Sequence, residues 1–130
     1  MPWIRAFSVA AVAALAITST AQATTETPFT QAAFAAAQAK GQPILVDIKA
    51  SWCPTCARQA PIINSLLDAP EFKDYARFAV DFDSQKNVVR GFKATTQSTL
   101  IVYRGKAERG RSTGDTNEAS IKALLQRASR

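Results

Sequence analysis

Residues 44–67 read ILVDIKASWCPTCARQAPIINSLL, and the change of rhythm inside this stretch decides the fold. Ile44 to Ile48 is a short apolar run, rich in β-branched residues and interrupted only by Asp47. Its length and composition predict a central strand covered on both faces. Past Cys53 the period changes: Ile62, Ile63, Leu66 and Leu67 recur with helical spacing, so a helix begins near Cys53. Pro54 suits its first turn, where a missing N–H costs nothing. Pro61 falls inside the pattern and predicts a bend, with the apolar face resuming beyond it. The two cysteines therefore stand at a strand-to-helix corner, Cys56 one helical turn along from Cys53.

Working outward, Thr30 to Ala39 (TQAAFAAAQA) reads as an alanine-rich helix stopped by Lys40-Gly41, preceded by a short polar arm. Arg77 to Phe82 (RFAVDF) alternates Phe78, Val80 and Phe82 as a strand does. Ser84 is placed to cap a short helix containing Val88, Val89 and Phe92. Thr99 to Tyr103 (TLIVY) is a further strand, Arg104-Gly105-Lys106 turns the chain, and Ala107 to Ser112 returns antiparallel. Asp115 and Glu118 match a capping box opening a last helix with Ile121, Leu124, Leu125 and Ala128 on its apolar stripe. The alternation implies an α/β domain, a central mixed sheet with helices on both faces.

The N-terminus reads differently. A weakly basic start, MPWIR, precedes an apolar run from Ala6 to Ile17 and an Ala21-Gln22-Ala23 site. This is the pattern of a secretory signal peptide over residues 1–23, too short in its apolar part for the roughly 20 residues of a membrane-spanning helix. Residues 24–130 then form one domain. Export makes disulfides permissible, and the chain has 2 cysteines and no histidine. A bridge across so short a loop constrains little of the unfolded chain, so the pair reads as reversible chemistry rather than a staple. A metal site would need further ligands that neither His nor a third Cys can supply, so no metal is expected. No glycine-rich nucleotide loop calls for a cofactor. The net charge is +6, but the basic cluster of Arg104, Lys106, Arg109 and Arg111 lies in a hairpin without any nucleic-acid motif. It reads as a solvated sheet edge, and nucleic acid is excluded as a partner.

The run ILVDIKASWCPTC, the mid-helix Pro61 and the later STLIVYRGK resemble the thioredoxin family over nearly the whole of residues 24–130. Within it the likeness is to exported, thioredoxin-like reductases. The resemblance implies a thioredoxin-like fold and a periplasmic thiol–disulfide oxidoreductase that reduces protein disulfides, recharged by a membrane-bound electron donor. After removal of the leader it implies no stable membrane insertion. An oxidase or isomerase using the same cysteines remains open, as does a non-enzymatic exported binding module.

Cys53 is expected to be the attacking thiolate and the more exposed of the pair, favoured by helix N–H groups and the helix dipole. Cys56 is expected to resolve the mixed disulfide. The resemblance makes Asp47 the buried acid beneath the cysteines, moving a proton to or from Cys56; otherwise its carboxylate reaches solvent or pairs with Lys49. Trp52 either shields the corner and offers apolar surface to a substrate or is a core residue. Lys49 and Arg58 are candidates for positive potential near Cys53, and Pro54 and Thr55 occupy the positions that tune redox poise. In the family a cis-proline precedes a Thr and an apolar strand. Here Gln97-Ser98-Thr99 stands in its place. A non-proline cis bond costs roughly 2.5–4 kcal/mol, so the expectation is a trans Gln97–Ser98 bond. The Ser98 hydroxyl would then be free to approach the sulfurs.

Overall fold

The computed structural model describes residues 24–130; the leader read in residues 1–23 lies outside the described residues. In chain order the elements are β1 (Glu26–Pro28), α1 (Gln31–Ala39), β2 (Pro43–Lys49), α2 (Pro54–Leu67), β3 (Ala76–Asp81), α3 (Lys86–Gly91), β4 (Thr99–Arg104), β5 (Ala107–Thr113) and α4 (Glu118–Gln126). A single 3₁₀ turn, Pro70–Phe72, lies between α2 and β3. The five strands form one sheet in the order β1-β3-β2-β4-β5. β3 runs parallel to both β1 and β2, whereas β4 is antiparallel to β2 and β5.

β2 is central because it can be. Ile44, Leu45, Val46 and Ile48 are all wholly buried, each worth roughly 1.5–3 kcal/mol on removal from water. Alternate residues face opposite ways along a strand, so the sheet serves two cores. Ile44, Val46 and Ile48 join Phe78, Val80, Ile101 and the α1 and α3 side chains on one face. Leu45, Leu100 and Val102 meet Ile63, Leu66 and Leu67 of α2 and Ile121, Leu124 and Leu125 of α4 on the other. α2 is one element with Pro61 inside it, as the resumed apolar spacing requires.

Three local expectations are corrected. The polar arm contains β1, a three-residue strand whose length carries no periodic signal. What places it is Phe29 immediately after, packed against Phe34, Phe78 and Phe92, with its N–H given to the Ala79 carbonyl at 2.8 Å. Ser84 does not cap α3: Gln85 stands at the N-cap without a side-chain cap bond. The Asp81 carboxylate takes the amides of Asp83 and Ser84 instead, closing a local turn before the helix starts. The cap of α4 is Asn117, accepting from the Ser120 amide at 3.0 Å. Asp115 lies further back, where it accepts from the Asn117 amide and the Ser120 hydroxyl, and Glu118 is the first helical residue rather than the far arm of a capping box.

Candidate active site

Cys53 and Cys56 are joined in a disulfide, with Cα atoms 5.3 Å apart. Cys53 is the N-cap of α2 and keeps extended backbone, while Pro54 opens the helix. Its Sγ accepts the Cys56 amide at 3.1 Å, one of the orphan donors at a helix start. A sulfur in that place meets the positive end of the helix dipole, which favours a thiolate on reduction. The expected difference in exposure is reversed. Both residues are buried in the oxidised protein, Cys53 at 3% and Cys56 at 8%. Capping turns the Cys53 sulfur into its own helix, and Ala50 and Phe82 pack beside the pair.

Trp52 is 57% exposed, a large apolar side chain held out in water beside the disulfide. Its indole N–H donates to Asp83 at 2.7 Å, which fixes the ring without burying it. It is therefore no core residue. Pro54 is exposed, and Thr55 half-buried. Arg58 is exposed, and Lys49 turns its ammonium to Glu26 at 2.8 Å.

Asp47 lies on the α2-facing side of β2, two residues along from Leu45, and is 4% exposed. Its ion-pair contact is Arg77 rather than Lys49, at 3.6 Å. Burial pushes the Asp47 carboxyl above its ordinary value; Lys49 and Arg77 oppose this and Glu26 adds to it. Sequence reading missed Arg77, which is itself buried, and Glu26, which pairs with it at 2.8 Å. The signal available was the phase of RFAVDF. Phe78 and Val80 claim one face, so Arg77 takes the other, and that face is also covered in a sheet with helices on both sides.

Every peptide bond among the described residues is trans, so Gln97–Ser98 is trans as expected. Ser98 takes a left-handed backbone, φ +59°, and is buried. Its hydroxyl does not turn to sulfur: it donates to the Gln97 carbonyl at 2.6 Å. The Ser98 carbonyl is gripped from two sides, by the Gly114 amide at 2.9 Å and the Gln59 side chain of α2 at 3.3 Å. Gln59 also donates to the Asp115 carbonyl at 2.9 Å. This buried clamp between α2 and two loops had no signal in the sequence beyond a glutamine between Arg58 and Ala60. Gln97 accepts from the Thr96 hydroxyl, and Thr99 bonds Thr96 and Thr113.

A cysteine pair at a strand-to-helix corner, capping the helix, with a buried carboxyl on the preceding strand, defines a thiol–disulfide exchange protein. The Thioredoxin family model matches residues 24–127. The chain belongs to the thioredoxin family, and it is a thiol–disulfide oxidoreductase; this sets aside the binding-module alternative. Among curated relatives, thioredoxin-2 of Saccharomyces cerevisiae is 33% identical over 63% of this chain and 76% of its own length. The thioredoxin of Echinococcus granulosus is 34% identical, covering 67% of this chain and 79% of its own. Among solved structures, Trxlp from Edwardsiella tarda EIB202 is 42% identical with a TM-score of 0.76, over 78% of this chain and 98% of that one.

Proposed function

We propose that this oxidoreductase works in the periplasm as a reductase of protein disulfides, recharged by a membrane-bound dithiol donor. The observation that carries the reading is Asp47, a buried carboxyl with a raised pKa on the strand feeding the cysteine corner. A carboxyl whose burial favours its neutral form takes up a proton more readily than an ordinary one and can hand it on. The Cys53 thiolate attacks one sulfur of the partner's disulfide, and the displaced partner thiolate takes a proton. The Asp47 carboxylate removes the Cys56 proton, and the Cys56 thiolate attacks the Cys53 sulfur. The partner leaves as a dithiol carrying two electrons, and the Cys53–Cys56 disulfide re-forms. The donor dithiol then returns two electrons and two protons. Trp52 supplies the apolar surface on which a partner rests, and the Gln97-Ser98-Thr99 loop shapes the approach. The leader-like residues 1–23 support the compartment.

A second reading, an oxidase, is favoured by the Cys56 amide on Cys53 Sγ, since a well-stabilised thiolate makes the disulfide more oxidising. The equilibrium potential of the pair against glutathione separates them. A value near −270 mV, about that of thioredoxin, supports reduction; one near −120 mV overturns it in favour of oxidation. Fractionation of cells expressing the full chain tests the compartment: protein retained in the cytoplasm sinks the periplasmic assignment.

A further inference from the structure

Five side chains from four elements meet on the α2 face of the sheet, and they are arranged as a chain of alternating charge. Lys49 of β2 donates to one Glu26 oxygen at 2.8 Å, and Arg77 Nη2 pairs with the other at 2.8 Å. The same Nη2 lies 3.6 Å from Asp47 Oδ2. Arg77 Nη1 donates to Asn64 of α2 at 2.5 Å, and Nε is buried without a partner. One guanidinium nitrogen thus faces two carboxylates and makes its close contact with the one outside. The sheet register explains why. Glu26 stands directly opposite Arg77 on the neighbouring strand, whereas Asp47 is opposite Ala79 and reaches Arg77 only on the diagonal. Glu26 is partly open to water, lining a cleft of about 380 Å³ with Pro28, Lys49, Ser51, Asp81 and Gln85. Asp47 and Arg77 are both shut in.

We propose that Glu26 is a positioning residue that holds the Arg77 guanidinium back from Asp47, leaving Asp47 a proton carrier rather than one half of a closed ion pair. A carboxylate in full bidentate contact with arginine is locked in its ionised form and gives up no proton near neutrality. At 3.6 Å, with Glu26 taking the close contact, Asp47 keeps the raised pKa that its burial imposes. The charged groups acting on Asp47 are Lys49 on its own strand, Arg77 on β3 and Glu26 on β1. α2 contributes the neutral Asn64, which holds Arg77. The functional consequence rests on the role given to Asp47 above, but the electrostatic claim stands by itself.

The test is a carboxyl titration of Asp47 by ¹³C NMR in the oxidised full-length protein. Glu26→Gln is expected to lower the Asp47 midpoint by about one pH unit, a tenfold change in acidity. In an Arg77→Met background the same substitution is expected to move it by less than a third as much. An unchanged midpoint in E26Q overturns the proposal. An equal shift in both backgrounds also overturns it, because Glu26 would then act by its own charge and not through Arg77. A structure of E26Q gives a reading that does not need R77M to fold: contraction of Nη2–Oδ2 to roughly 2.8 Å supports the mechanism, and an unmoved guanidinium defeats it. Should the midpoint fall as expected while the pH profile of turnover stays in place, Glu26 is upheld and the proton-carrier role of Asp47 is what fails.

Discussion

The two faces of the sheet are built on opposite principles. Under α1 and α3 the contacts are aromatic: Phe34 meets Phe29, Phe78, Phe92 and Tyr103, the last three with ring planes 80–85° apart. Such edge-to-face pairs add about 0.5–1.5 kcal/mol beyond burial, and the phenylalanines among them leave no polar atom to satisfy. Under α2 and α4 the core is mainly aliphatic beside one aromatic pair, Phe72 and Tyr75, and Asp47, Gln59 and Arg77 are buried in it or beside it. Buried polar groups cost stability unless partnered, and this face tolerates orphaned atoms on both Gln59 and Arg77. Both faces hold the sheet together, but the α2 face spends part of its stability on a buried charged group.

The comparison breaks most sharply at the disulfide. Cys53→Ser is expected to abolish disulfide-reducing turnover, and Cys56→Ser to trap mixed disulfides with partner proteins. Residual turnover in C53S, measured by reduction of a protein disulfide, would move the nucleophile elsewhere. On the aromatic face, Phe34→Ala should cost about 3–5 kcal/mol in denaturant unfolding and leave the potential of the pair unmoved. A potential that shifted in F34A would show the two faces to be coupled after all.

Asp47→Asn sharpens the contrast by its pH dependence. The folded carboxyl has a raised pKa, so its contribution favours the fold below the unfolded pKa and is lost as pH rises toward the folded one. D47N should therefore gain stability over the native protein with rising pH, while resolution by Cys56 slows more than the first attack. A stability difference that is flat across the acidic and neutral range would remove the burial argument. The smallest effects belong to Ser98. S98A should leave the Cys53 thiol pKa in place, because the hydroxyl is committed to the Gln97 carbonyl. S98G should add about 1 kcal/mol by relieving a left-handed backbone at φ +59°. Loss of stability in S98G would mean the clamp by Gln59 and Gly114 depends on the stiffer residue.

The strand, the corner and the helix around Cys53 were legible because each is written in contiguous residues with a clear period. Asp47 was legible as buried because its neighbours are apolar on both sides. Its partner was not. Glu26, Lys49, Asn64 and Arg77 are scattered over the chain, and only a parallel sheet sets them together. Glu26 sits in an arm without periodicity, and Arg77 looks like an ordinary solvent-facing alternate until α2 covers it. The reversal at Cys53 has a similar cause: periodicity placed the residue at a helix start, but whether its sulfur faces outward or caps the helix depends on its side-chain rotamer.

The ends of the sheet carry a consequence of their own. β1 is three residues long and closes with Pro28, which has no N–H to offer an incoming chain. β5, at the opposite margin, is lined by Glu108, Arg109 and Arg111, and the Arg111 guanidinium is folded back onto Glu108 and the Phe92 carbonyl. One margin is too brief and the other too charged to recruit a second copy by strand addition. A thiol–disulfide oxidoreductase brings the chains of other proteins close to its own sheet, and margins of this kind disfavour their joining it as a further strand.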